Sequence, residues 1–280
     1  METFLIVMRE SLEASLLVGI LLTAVRKAGR PGDRKYVIAG VLTALLLCAA
    51  VLAGSRDLAS TLSGPLRNEL DILVFFLAAF FLTTMVVWMH YHGKDLSRQL
   101  SGRVNTLLDS GEHGALFLLS FFGVFREGLE TILFLWGIAT QSGGATPSEM
   151  LGGIAGLFAG IGFVVLLFRG LVRIPLHIFF SVTSVLLILF AAGMISSGVG
   201  RLVMIGALPP LVSQVWDSSR LLNEHNLLGG FMADFFGYRA RPSLTVVLTT
   251  FTYMIVMMLW WLRSHRDSLR VGSQALRKGR

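Results

Sequence analysis

At 280 residues the chain is 54% hydrophobic with a mean hydropathy of +0.71, above the roughly 45–50% apolar share of a soluble domain even with glycine counted in. A soluble globular fold is excluded, and an all-α integral membrane protein is expected. The single cysteine, Cys48, rules out a disulfide framework or a Cys/His metal cage, and the net charge of +7 has to be placed against the membrane before it is read as an affinity for nucleic acid.

Seven runs are long enough to cross a hydrocarbon core that needs roughly 20 helical residues: about 3–25, 36–54, 71–91, 115–139, 151–172, 176–198 and 243–262. The first has no basic leader region and carries Arg9, Glu10 and Glu13 in its body, so it is expected to stay in the mature protein rather than act as a signal peptide. It holds the motif Arg9-Glu10-Ser11-Leu12-Glu13. The second, from Gly40 to Gly54, is apolar and contains Cys48. The third opens at Asp71, either an accessory entrance ligand or a helix N-cap, and closes at Trp88, His90, Tyr91 and His92, which suit interfacial anchoring better than an exit-side metal site.

The fourth run repeats the motif as Arg126-Glu127-Gly128-Leu129-Glu130. In the fifth, Gly152, Gly156 and Gly160 form a smooth ridge of the kind that lets helices approach closely, for packing or for sliding. The sixth begins near His177, read as structural. A long segment, 201–242, follows with Asp217, Glu224 and His225, an outer collecting site or ordinary solvated loop. The seventh span leads into a basic tail at 263–280. Phenylalanine patches (Phe75, Phe76, Phe80, Phe81; Phe121, Phe122, Phe125) and scattered methionines read as packing or lipid-facing residues, since no close methionine cluster exists to favour Cu(I).

Alternate loops place sixteen Lys and Arg residues on one side and six on the other. The positive-inside rule then puts the N-terminus outside and the tail in the cytoplasm. Acidic residues lean the other way, eight outside against five inside, which would concentrate cations at the outer mouth. Each RExxE motif opens a unit of three spans, residues about 1–113 and 114–200. An odd number of crossings inverts the second unit, as in many secondary transporters; the seventh helix and tail (243–280) lie outside the repeat. Depth counting then puts Glu10, Glu13, Glu127 and Glu130 in one layer, in the outer half or near the midplane.

Ionised groups in hydrocarbon are costly and therefore functional by default. Within each motif the two glutamates are three apart and the arginine is four before the second, all on one helix face. Four carboxylates and two guanidiniums carry about −2 when ionised, and hard oxygen donors suit Fe³⁺, Mn²⁺, Mg²⁺ or Ca²⁺. Metal binding there would release protons. The bland alternative is that each arginine staples its own helix through an internal ion pair. An intramembrane metal-dependent enzyme would want a His or Cys in the same layer, and none is there; a membrane-anchored assembly factor is a further rival.

The doubled Arg-Glu-x-x-Glu in spans one and four closely resembles the oxidase-dependent iron permeases, the EfeU-type bacterial and fungal high-affinity iron transporters. The likeness covers nearly the whole chain, including Asp71, Trp88 and Met89 in span three and Trp216-Asp217, Gly237-Tyr238 and Pro242-Ser243 before span seven. It implies an iron permease in a plasma membrane, a bacterial inner membrane by this reading, with Fe²⁺ or Fe³⁺ as the transported substrate and no permanently bound cofactor. Glu10, Glu13, Glu127 and Glu130 are then implied iron ligands, Arg9 and Arg126 their supports, and Asp71, Asp217 and Glu224 accessory outer acids. It also implies periplasmic or extracellular iron-oxidising or iron-delivering partner proteins and no nucleic acid; a carrier of another divalent cation such as Mn²⁺ is the nearest alternative. The longer acidic outer-loop motif of the fungal members has no clear counterpart.

Overall fold

The computed structural model describes residues 2–61, 64–92, 102, 113–141, 146–170, 176–220, 222, 229–230, 232–233 and 237–278. Among them the regular elements are α-helices with one short 3₁₀ turn: α1 Glu2–Lys27, α2 Arg34–Thr61, α3 Pro65–His92, α4 His113–Gln141, α5 Pro147–Phe168, α6 Leu176–Met204 and α7 Leu244–Lys278. Five of them, α2, α3, α5, α6 and α7, are long and apolar enough to cross a membrane. The other two, α1 and α4, are as long, at 26 and 29 residues, but each carries an RExxE motif in its body.

Helix ends follow the local sequence. Glu2 stands in the first turn of α1 and Arg26 and Lys27 in its last, each charge opposing the helix dipole. The α1–α2 link turns through Gly29 at φ 71° and the 3₁₀ turn Pro31–Asp33. Thr146 caps α5 with a reciprocal Glu149 capping box, and Pro147 follows at the first position. Several starts and stops differ from the sequence reading; α2 ends at Thr61 instead of near 54, and α6 at Met204 instead of near 198. Helix α3 begins at Pro65, six residues before Asp71, because a proline is well placed in a first turn. Helix α7 runs on to Lys278 instead of ending near 262, through a tail rich in good helix formers.

Contacts divide the chain into two compact units, Met1–Val185 and Leu186–Arg280. In the first unit α1 packs most extensively on α5, and α2 on α4, while α1 and α3 also meet α4. Glycine makes both close pairings possible. A Cβ on Gly156 or Gly160 of α5 would run into α1 backbone atoms at Phe4 and Met8, or Met8 and Leu12; one on Gly40 of α2 would meet α4 at Phe117 and Ser120. Ser11 adds a hydrogen bond to the Gly156 carbonyl at 3.4 Å. Residue numbers rise together along each pair, since Gly152 faces Phe4 and Gly19 faces Phe168, while Gly40 faces Phe117 and Gly128 faces Cys48. Thus α1 runs parallel to α5, and α2 to α4.

The two RExxE helices run antiparallel. Leu21, Ala24 and Val25 of α1 cluster with Leu116 near the start of α4 and with Val37 of α2, and Gly123 faces Leu17. A second cluster joins Leu12 and Leu16 to Met89 of α3 and Val164 of α5. The outward face of α2 exposes Leu42, Leu45, Leu46 and Leu47, a surface suited to lipid.

In the second unit the segment after α6 folds into a strap at the start of α7. Ser196 donates to the Gly237 carbonyl at 2.9 Å and the Trp216 indole to the Arg239 carbonyl at 3.2 Å. The backbone N–H of Leu244, first in α7, donates to Val212.

Candidate metal centre

The first motif sits at the heart of α1. Arg9 and Glu10 are each only 1% exposed. The Arg9 guanidinium reaches Glu13 at 3.0 Å through Nη2, one helical turn on, and Glu10 at 3.4 Å through Nη1. That second nitrogen also donates to the thioether of Met85 on α3, at 3.1 Å. Burying a guanidinium costs several kcal/mol unless charges compensate it, and here two carboxylates do so.

The second motif repeats the i,i+4 pair, with Arg126 Nε 2.8 Å from Glu130 Oε1. Its surroundings differ. Arg126 is 52% exposed while Glu130 is buried, and the guanidinium lies over the Trp88 ring at 5.9 Å, a cation–π arrangement. Both internal pairs of the staple reading are therefore formed, and acids remain beyond what they use.

Because α1 and α4 are antiparallel and in contact, the motifs face each other. One carboxylate oxygen from each of Glu10, Glu127 and Glu130 lies within 4.8 Å of the others. Glu127 and Glu10 carboxyls meet across the two helices, and Glu13 is held by Arg9 beside them. Buried polar atoms are normally hydrogen-bonded; yet Glu10 Oε2, Glu127 Oε2 and Glu130 Oε2 all lack a donor. Three carboxylates from two helices, each with one buried oxygen that lacks a donor, make an all-oxygen cage, and its chemistry suits a divalent or trivalent cation.

Small residues let α5 and α2 close on the backs of the two motifs. At the third motif position Ser11 lies against Gly160, and Gly128 lies against the thiol of Cys48. Each contact pairs a glycine with a small polar side chain, in opposite order on the two sides.

The accessory acids are placed differently. Asp71 is 3% exposed and sits in the second turn of α3 rather than at its cap, which corrects the N-cap reading. It lies 3.8 Å from Arg67 and accepts from Thr140 of α4 at 3.4 Å. Thr140 is ten residues past Glu130, so Asp71 stands roughly 15 Å along α4 from the carboxylate cage. Asp217 belongs to the second unit, 3.0 Å from Arg241. Hydrogen bonds from the Ser219 hydroxyl and backbone N–H, with Arg241 behind them, hold its carboxyl down to about 2. Glu224 and His225 lie outside the described residues. His90 packs edge-on against Tyr91 at the end of α3.

Met85 is a contact that sequence reasoning missed. A single methionine in an apolar span carries no periodic or spacing signal, and only the fold brings it to Arg9.

No solved structure matches the chain. Curated relatives do. A protein named "Ferrous iron permease EfeU" from Escherichia coli O6:K15:H31 (strain 536 / UPEC) is 31% identical over 254 residues, 90% of this chain and 91% of its own length. Its namesake from Shigella sonnei (strain Ss046) matches to the same extent. Another of that name, from Yersinia pestis, is 29% identical over 277 residues, 98% of both chains. A family model described as "Iron permease FTR1 family" matches residues 1–263. With that span matched and relatives at this identity along nearly its whole length, the chain is a multi-pass membrane protein and a member of the iron permease FTR1 family.

Proposed function

We propose that the chain takes up ferrous iron through a site made by Glu10, Glu127 and Glu130, with Glu13 as the fourth carboxylate and Arg9 and Arg126 as supports. The observation that carries this reading is the carboxylate cage itself: oxygens of three glutamates within 4.8 Å, contributed by two antiparallel helices, with three buried oxygens lacking donors. A cation supplies the positive charge those oxygens lack. Four glutamates and two arginines total about −2, which a divalent ion neutralises, and the curated relatives are named for ferrous iron. The chain acts as a permease and not as an enzyme.

The reciprocal pairing of α1 with α5 and α2 with α4 is what two inverted three-helix units produce when each lends its first helix to the second helix of the other. Iron enters from the outer side, where loops are acid-rich, and leaves inward as the units rearrange. The N-terminus is outside and the basic end of α7 is cytoplasmic, in a bacterial inner membrane. Asp71 serves as a waystation between the outer surface and the cage; Asp217 and Glu224 belong to the outer approach.

The test is uptake of radioactive iron, kept reduced, into proteoliposomes holding the purified chain, with Mn²⁺ as competitor. Wild-type protein is expected to transport iron, and Glu127→Gln plus Glu130→Gln to remove transport without loss of membrane insertion. Undiminished iron flux in that double variant rules out the assigned ligands, and full suppression by equimolar Mn²⁺ would favour a manganese carrier.

A further inference from the structure

The Met85 thioether lies one guanidinium nitrogen away from the carboxylate cage. Arg9 Nη1 is 3.1 Å from Met85 Sδ and 3.4 Å from Glu10 Oε1. Sulfur is a weak acceptor, so a thioether is an unusual partner for a fully buried guanidinium whose Nε has no hydrogen-bond partner. Met85 cannot turn away freely. It is 2% exposed, and its α3 neighbours Leu82, Val86 and Met89 are likewise buried, so its side chain is packed where it stands.

A metal cation arriving at Glu10 meets the same two neighbours that Nη1 has now, a carboxylate oxygen and a sulfur. Arg9 keeps its charge in the site through the 3.0 Å contact of Nη2 with Glu13, and a divalent ion adds the two positive charges that four carboxylates and two guanidiniums, at about −2, lack. An all-carboxylate site would favour hard cations, including Mn²⁺, Mg²⁺ and Ca²⁺, as readily as iron. A thioether is soft and polarisable, and it shifts preference toward later, softer first-row ions.

Resting on the assignment of the carboxylate cage as the iron site, we infer that Met85 is a soft ligand of the transported ion and sets its preference for Fe²⁺ over harder divalent cations. Its thioether takes the coordination position next to Glu10 when Arg9 Nη1 withdraws. The bulk and packing of Met85 are shared by leucine, and its sulfur is not, so Met85→Leu isolates the ligand role.

The experiment is X-ray absorption at the iron edge on the full-length protein, loaded anaerobically with Fe²⁺ in detergent, alongside Fe²⁺ and Mn²⁺ uptake in proteoliposomes. Wild type is expected to show a sulfur scatterer in the iron coordination shell, and Met85→Leu an all-oxygen shell with at least a tenfold fall in the Fe²⁺-to-Mn²⁺ uptake ratio. An all-oxygen shell in wild type overturns the inference even if the leucine variant fails to fold, and so does an unchanged uptake ratio in a folded Met85→Leu. If Glu127→Gln abolishes iron binding while the wild-type shell is all oxygen, the carboxylate site stands and only the Met85 assignment falls. If Glu127→Gln leaves the iron shell and its occupancy unchanged, both fall together.

Discussion

The two RExxE motifs share one spelling and one internal ion pair, yet their arginines live in different surroundings. Arg9 is sealed among Glu10, Glu13 and Met85 at 1% exposure. Arg126 touches one carboxylate, lies over Trp88 and is half exposed. The difference teaches that a duplicated motif need not carry duplicated surroundings: the α1 copy holds its arginine sealed between two carboxylates, and the α4 copy holds its arginine half open.

The largest effects belong to what the copies share. Glu10→Gln, Glu127→Gln or Glu130→Gln is expected to lower iron uptake in proteoliposomes by more than the roughly 10- to 100-fold that removing a mere supporting partner costs at a metal site. A graded loss, with Glu127 tolerated and Glu10 not, would extend the asymmetry of the arginines to the acids themselves.

Arginine variants probe the contrast directly. Arg9→Gln strands Glu13 without its cation in a buried place and should destabilise the protein by about 3–5 kcal/mol. Arg126→Gln also takes the guanidinium from a buried acid, Glu130, but at a half-exposed position where water can take its place, so a smaller loss is expected. Thermal unfolding in detergent compares the two, and equal losses would erase the distinction between the sealed and the half-open arginine.

The third motif position gives a steric version of the same contrast. Gly160→Ala sets a methyl group against α1 backbone, which cannot step aside, so an overpacking cost of about 1–3 kcal/mol is expected. Gly128→Ala meets only the Cys48 thiol, and Cys48→Ala should relieve it. Rescue on the α4 side without any counterpart on the α1 side is the outcome to look for.

Acid should weaken uptake, because protons compete with the metal for the same carboxylates and are released when it binds. Uptake is therefore expected to fall as pH drops, with proton release measurable in weakly buffered solution. Asp217 supplies the baseline for that measurement. Its carboxyl is held down to about 2 by Ser219 and Arg241, below its ordinary value, so whatever stability the pairing adds is complete at neutral pH and is lost only as pH falls toward 2. Asp217→Asn should leave the pH profile of uptake above about pH 4 unchanged, so that the acid sensitivity there belongs to the motifs.

Much of this was readable in the chain. Apolar runs of span length located the seven helices, and the i,i+4 spacing foretold both Arg–Glu pairs. The glycine ridge of α5 announced a close helix contact. Other features depend on what lies across a contact and leave no local trace. Nothing in the spelling of RExxE tells that Arg9 is sealed and Arg126 is not, and a lone methionine becomes significant only when α3 carries it to α1. Of the two readings open for Asp71, the cap fails because the helix starts six residues earlier, at Pro65, the better signal for a first turn.

The partner that α1 packs against most extensively, α5, begins about 145 positions later in the chain, and Glu127 and Glu130 lie more than a hundred residues downstream. At ribosomal rates of about 5–20 residues per second, α1 waits on the order of ten seconds in the membrane for the helices that complete it. Throughout that interval Arg9 has Glu13 one turn away on its own helix. The contacts of Arg9 with Glu13 and Glu10 that hold the finished site together are ones this segment can make alone, and they let a helix with three charges in its apolar body survive its own biosynthesis.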